Sequence, residues 1–172
     1  KLTFSREMPA GARITARVNS EELGSVRVGE SCDLEAVTWK ARLDSAGEAE
    51  ARGWASADFD DSGWQERCLP SMWNETGVTY LRTRLFVPVS WRSKPIYLRI
   101  RAVDDIDVCY MNGMEIGRTS GWDTQRSYLV DPGVIRFGQS NVLCIAVNNA
   151  AWGGGIYRSP SSFGISEEAS SP

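Results

Sequence analysis

VDDIDVCYMNG, residues 103–113, sets three aspartates and an asparagine among strand-forming residues and closes on Asn-Gly. As a strand it sends successive side chains to opposite faces, so Ile106, Val108 and Tyr110 share one face and Asp105, Asp107, Cys109 and Met111 the other. Adjacent Asp104 and Asp105 then diverge instead of forming a carboxylate dyad. Asn112-Gly113 suits a two-residue type I′ turn, whose central positions need positive φ, so MNGMEIG predicts strand, turn, strand. A glycosidase pair needs carboxyl groups about 5–5.5 Å or about 6.5–9.5 Å apart across a cleft, and nothing local supplies one. The stretch therefore predicts a fold element in preference to an active site.

Outward from it, period-two and short apolar runs bounded by Gly, Pro, Asn and Asp predict further strands. They lie near 12–18, 24–28, 33–43, 79–87, 95–103, 106–111, 114–117, 126–130 and 141–148. The class is all-β. Ser45–Gly53 (SAGEAEARG) is rich in helix formers but too short to stand alone, and predicts at most one helical turn packed on the strands. SEEASSP, 166–172, predicts a polar tail or linker.

The 172 residues, 42% of them hydrophobic, are enough for one domain with a real core. A net charge of -3 with scattered arginines offers no basic footprint, so no nucleic-acid partner is expected. No run approaches the roughly 20 apolar residues of a bilayer span, so no membrane partner is expected and the chain reads as soluble. Lys1 in place of Met fits a mature or excised fragment.

Histidine is absent, which removes the usual general base near pH 7 and every Ser-His or Cys-His nucleophile pair. It also argues against zinc, since Cys32, Cys68, Cys109 and Cys144 form no Cys-x-x-Cys. Cys109 and Cys144 sit in apolar strand-like runs, as buried thiols or as a disulfide if the strands are neighbours. In WASADFDDSGWQERCLPSMW, 54–73, aspartates 58, 60 and 61 could cap turns or join carbonyls around a structural calcium ion. No cofactor is otherwise required.

Loop aromatics carry the functional expectation. SGWDTQRSY (120–128) and NNAAWGGGIYRSP (148–160) place Trp122 and Trp152 after or between strands. Indole and phenol faces stack on the C–H faces of sugar rings while nearby Asp, Asn, Gln and Arg bond hydroxyls. Trp122 and Trp152 are the expected stacking residues, with Tyr157 as a third. Asp123, Gln125, Arg126, Asn148, Asn149 and Arg158 are the expected hydrogen-bonding partners. Gly153, Gly154 and Gly155 would permit a close backbone approach to a ligand or a sharp loop. Trp39, Trp54, Trp64 and Trp73 are expected to plug the ends of a sandwich, a role equally open to Trp152 as the alternative to stacking.

The ordered motifs TWKARLD, GWASADFDDSGWQERCLPSMWNETG, YLRTRLFVP, LRIRAVDDIDVCYMNGMEIGRTSGW and NVLCIAVNNAAWGGGIY resemble the sugar-binding jelly-roll domain of family 2 glycoside hydrolases. Similar galactose-binding-like carbohydrate-binding modules accompany other polysaccharide-degrading enzymes. In that pattern Asp60, Asp61 and Trp64 match DFDDSxW, Pro70 and Trp73 the PxxW corner, Arg82 the YxRxxF strand, and Asp104, Asn112 and Gly113 the DDxxxVYxNG hairpin.

The resemblance implies a jelly-roll β-sandwich of two antiparallel sheets spanning 36–165. Residues 1–35 would be N-terminal strands or the remnant of a preceding segment. It also implies no catalytic residue in this chain, because the catalytic glutamates of such enzymes sit on a separate (β/α)₈ barrel. The expected function is non-catalytic binding of a polysaccharide or oligosaccharide beside the catalytic domain of a secreted parent enzyme, extracellular or periplasmic. Two alternatives stand beside it: a structural accessory domain without glycan affinity, which predicts an apolar docking patch, and a small carboxylate enzyme.

Overall fold

The computed structural model describes residues 13–18, 21–27 and 31–165. Thirteen strands appear among them. β1 (Arg13–Val18) and β2 (Glu21–Arg27) form an antiparallel ribbon. A six-stranded antiparallel sheet follows the order β10-β9-β12-β7-β4-β5. It comprises β4 (Trp39–Asp44), β5 (Gln65–Arg67), β7 (Gly77–Val87), β9 (Ile106–Met111), β10 (Met114–Ser120) and β12 (Gln139–Asn149). A five-stranded sheet follows the order β11-β8-β13-β3, with β6 also on β13. Its members are β3 (Ser31–Asp33), β6 (Ser71–Trp73), β8 (Ile96–Asp104), β11 (Arg126–Leu129) and β13 (Gly154–Ile165). No helix among the described residues is long and apolar enough to cross a membrane.

The two larger sheets form an all-β sandwich because their strands alternate. Leu81 and Leu85 of β7 and Leu143, Ile145 and Val147 of β12 meet Leu98 and Ile100 of β8 and Phe163 of β13 in one core. Trp39 and Trp73 join that core, and the Trp39 indole donates to the Leu34 carbonyl at 2.8 Å. On β9 the expected alternation is present, with Asp107, Cys109 and Met111 the inward set. Asn112 and Gly113 both have positive φ and turn β9 into β10. Asn112 is a hub: Nδ2 donates to the Val134 carbonyl and to Asn141 Oδ1, while Oδ1 accepts from Val142 N at 2.9 Å.

Trp54 and Trp64 do not plug the main sandwich. With Ala49, Phe59 and Tyr80 they make a second small core where the 45–64 segment lies over the outer face of the six-stranded sheet. The fold of that segment begins at Asp44, whose carboxylate accepts from Glu48 N and Ala49 N, and one helical turn follows with Arg52 N on the Glu48 carbonyl. Arg82 of β7 then clamps it from below. Its guanidinium donates to Asp61 Oδ2 at 2.9 Å and to the carbonyls of Trp54, Ser56 and Phe59.

Three further expectations are corrected. The run 33–43 is two strands in different sheets, β3 and β4, separated by a turn at 34–38, so the sandwich already includes Ser31–Asp33, ahead of residue 36. The segment GGIYRSPSSFGI, whose residues 154–160 are expected as loop, is β13, which pairs with β8, β3 and β6. Its register shifts around Arg158 and before Ser161 accommodate Pro160, which has no N–H for a ladder. Of the two readings open for Cys109 and Cys144, the buried thiols hold and the disulfide does not: Cys109 faces the core and Cys144 the opposite side of the sheet, beneath the 45–64 segment, so adjacent strands do not bring the sulfurs together. Third, Asp104 and Asp105 do not diverge, as described below. The polar tail expected at 166–172 lies outside the described residues.

Candidate functional site

At one end of the sandwich three loops converge: the β8–β9 junction at Asp104-Asp105, the β10–β11 loop at 121–125, and the β12–β13 loop at 150–153. Asp105 ties them together. Its carbonyl accepts from Gly121 N at 2.8 Å, its carboxylate accepts from Ala150 N at 3.0 Å, and its N–H donates to the Asn148 carbonyl. The Tyr157 hydroxyl donates to the Trp122 carbonyl at 2.8 Å, and Arg158 pairs with Asp123. Both contacts pin the β10–β11 loop against β13.

The expected stacking residues are exposed here. Trp152 is 92% exposed and holds φ 69°, and Trp122 is 59% exposed. A left-handed backbone at a bulky residue costs about 1–3 kcal/mol. Tyr157 and Arg158 are half-buried, Asp123 and Gln125 exposed. Arg101 reaches toward the Gln125 amide oxygen at 3.5 Å. Met72, also exposed, lies beside Gly153.

Three expected hydrogen-bonding residues are placed elsewhere. Arg126 is wholly buried, with its Nε on Asp107 Oδ1 at 2.6 Å and its other N–H groups on the carbonyls of Gly121, Thr124 and Asp105. Its donors are consumed by the two loops above it, so it supports the site and does not face a ligand. Asn149 is buried, with Nδ2 donating to the Glu75 carbonyl at 3.0 Å. Asn148 alternates with it on β12 and faces the outer side of the six-stranded sheet, paired across from Ile106. The glycine run likewise serves the protein's own packing. A Cβ at Gly155 (φ 139°) would stand 2.3 Å from the Ser71 carbonyl, and one at Gly154 2.5 Å from Asn149 Cβ.

The Asp104–Asp105 pair escaped the strand-alternation pattern. β8 ends at Asp104 and β9 begins at Ile106, so the pleat does not run through the pair, and the peptide joining them is cis. Their carboxyl groups share a hydrogen bond. Burial, that bond and the Asp105 charge push the Asp104 carboxyl up to about 6, against the pull of Arg126.

Asp60 and Asp61 of the acidic tract bond within the protein. Both Asp61 oxygens accept from Arg82 and Arg84, Asp60 Oδ1 accepts from Ser62 N, and no group of three or more His, Cys, Asp or Glu converges among the described residues.

Comparison with known proteins places this architecture. The family model described as "Beta-galactosidase second all-beta domain" matches residues 49–151, more than half of the chain. A probable beta-galactosidase B of Sclerotinia sclerotiorum is 30% identical over 110 residues, 58% of this chain and 10% of that protein. A calcium binding mutant of Bacteroides uniformis beta-glucuronidase 2 superposes with a TM-score of 0.67 at 27% identity, over 77% of this chain and 17% of that one. The beta-glucuronidase of Ruminococcus gnavus has the same fold, with a TM-score of 0.68 at 20% identity over 80% of this chain and 29% of that one. The chain thus spans between a tenth and a third of these much longer proteins. It belongs to the beta-galactosidase second all-beta domain family, an accessory all-β domain of glycoside hydrolases.

Proposed function

We propose that this chain is a non-catalytic glycan-binding domain of jelly-roll, galactose-binding-like type, serving the catalytic domain of a secreted glycoside hydrolase. The observation that carries the proposal is Trp152: a nearly fully exposed indole held in a left-handed backbone, at the same loop end as exposed Trp122. An exposed indole on a strained loop is unfavourable for an isolated domain and suits a surface that covers sugar rings. Asp123, Gln125 and Arg158 lie on the same loops and on β13, where they can exchange water for hydroxyls.

Affinity electrophoresis of the chain through gels containing soluble plant polysaccharides tests this. Retardation by one polymer, lost in Trp152→Ala and weakened in Trp122→Ala at unchanged thermal stability, is the expected result. Equal retardation of wild type and both variants would remove the site from this end of the sandwich.

A second function is favoured by a specific feature, a recess of about 550 Å³ lined by Pro95, Leu129, Val130, Pro132 and the stems of Arg92 and Lys94. Leu129 is exposed. Such a surface suits packing against a neighbouring domain, and a chain with only this role would ignore every polysaccharide in the gel panel.

A further inference from the structure

The edge of the six-stranded sheet holds a cavity that the loop-end site does not use. β4 pairs with β5 only as far as Ala41–Gln65, while β4 itself runs on to Asp44, so beyond Gln65 the two chains part. A cavity of about 350 Å³ opens in the gap. That is near the lower end of the about 300–1,000 Å³ typical of small-molecule sites, and suits a single sugar unit.

Its lining is rich in donors. Arg42, Arg67, Trp64 and Trp73 line it, two residues that carry guanidiniums and two that carry indoles, with Gln65 and Glu75 as the residues that carry acceptors. Arg67 gives one N–H to Ser71 Oγ and lies over the Trp73 ring. Arg42 lies over the Trp54 ring and has no hydrogen-bond or ion-pair partner among the described residues. The Nε1 atoms of Trp64 and Trp73 are both buried and both without an acceptor. An unpaired buried N–H costs about 1–3 kcal/mol, and the two indoles that carry these atoms both belong to residues lining the cavity.

We propose that this cavity is a second binding site, for one hexuronate unit. Two guanidiniums against one carboxylate leave a net positive lining, which selects an anion. Glu75 and Gln65 add acceptors that a bare phosphate or sulfate would leave unused and that sugar hydroxyls satisfy. A carboxylate and hydroxyls on one small ring meet both conditions. The site is independent of the loop end and does not rest on the glycan-binding role of Trp152.

The test is a titration of the ¹⁵N-labelled chain with sodium glucuronate, read at the indole N–H resonances assigned by Trp→Phe variants. Saturable shifts of the Trp64 and Trp73 resonances are expected, at least tenfold weaker in Arg42→Gln, unchanged in Trp152→Ala, and absent with methyl glucoside. Silence of both indoles would overturn the proposal. So would equal shifts with methyl glucoside or with sodium acetate, because the site would then read a ring or a carboxylate alone. Shifts confined to Trp122 and Trp152 would assign the sugar to the loop end and likewise overturn it.

Discussion

Arg126 and Asp107 meet at 2.6 Å with neither side chain exposed, directly beneath the loops that carry Trp122 and the Asp104–Asp105 pair. Asp107 also accepts from the Tyr128 hydroxyl and the Cys109 thiol, so its charge is surrounded by donors. Burial and this acceptor push the Tyr128 hydroxyl upward, and it stays protonated as a donor.

Breaking one partner of this pair leaves the other charge buried. Arg126→Ala is expected to cost about 3–5 kcal/mol of stability, read by urea unfolding. It also releases the carbonyls of Gly121, Thr124 and Asp105, so hydrogen exchange at 121–125 should accelerate more than in β7 or β12. A uniform acceleration across the sheets would contradict a local supporting role.

Arg82 has a parallel duty on the other face. Arg82→Ala should cost about 3–5 kcal/mol, because three segment carbonyls lose their donor and Asp61 is left with half-exposed Arg84 alone. Arg82→Lys should recover little, since one ammonium cannot span the fan that the guanidinium covers. Proteolysis between residues 45 and 64 is the sensitive readout, and resistance equal to wild type in both variants would refute the clamp.

Gly155→Ala is expected to destabilise by at least about 1 kcal/mol, through positive φ and a Cβ 2.3 Å from the Ser71 carbonyl. Gly63→Ala, where a Cβ meets open space, is the matched control and should be near neutral. Comparison of the two melting temperatures decides it.

The Asp104 carboxyl carries a pH signature. Its folded value of about 6 lies above its ordinary 3.8, so in that window the folded protein binds more protons than the unfolded chain. Its contribution to stability is present below 3.8 and is lost as pH rises through about 6. Asp61 acts oppositely: burial pushes it up, but hydrogen bonds and charge from Arg82 and Arg84 outweigh this and hold it low, so its contribution falls away in acid. The expected observable is therefore a difference, with Asp104→Asn gaining stability over wild type as pH rises toward 6 and beyond. Parallel pH profiles for the two proteins would count against the shift.

Legibility in the sequence follows how local each constraint is. The β9–β10 hairpin was readable because alternation and Asn-Gly act within a dozen residues. β13 was not, because its glycines, serines and proline disfavour a strand, and its extension is imposed by β8, β3 and β6 from distant parts of the chain. The inward direction of Asp107 was legible, whereas its partner was not: Arg126 lies 19 residues away on another sheet, and a strand arginine beside loop aromatics looks like a ligand contact. Alternation failed at Asp104-Asp105 because it was carried across a junction between two strands. The exposure of Trp122 and Trp152 follows from their loop positions, but Asn149 was drawn inward by Glu75, a contact 74 residues long.

Asn-Gly is also the dipeptide most prone to chemical ageing, since the glycine nitrogen can attack the preceding amide. At Asn112 both ends of that amide are held by Val134, Asn141 and Val142. The turn that closes the hairpin is thereby its own preservative. Were it lost, an aspartate at 112 would set a carboxylate against the Val134 carbonyl and Asn141 Oδ1, two acceptors with nothing to accept, so damage at this one peptide would loosen β9, β12 and the 131–141 segment together.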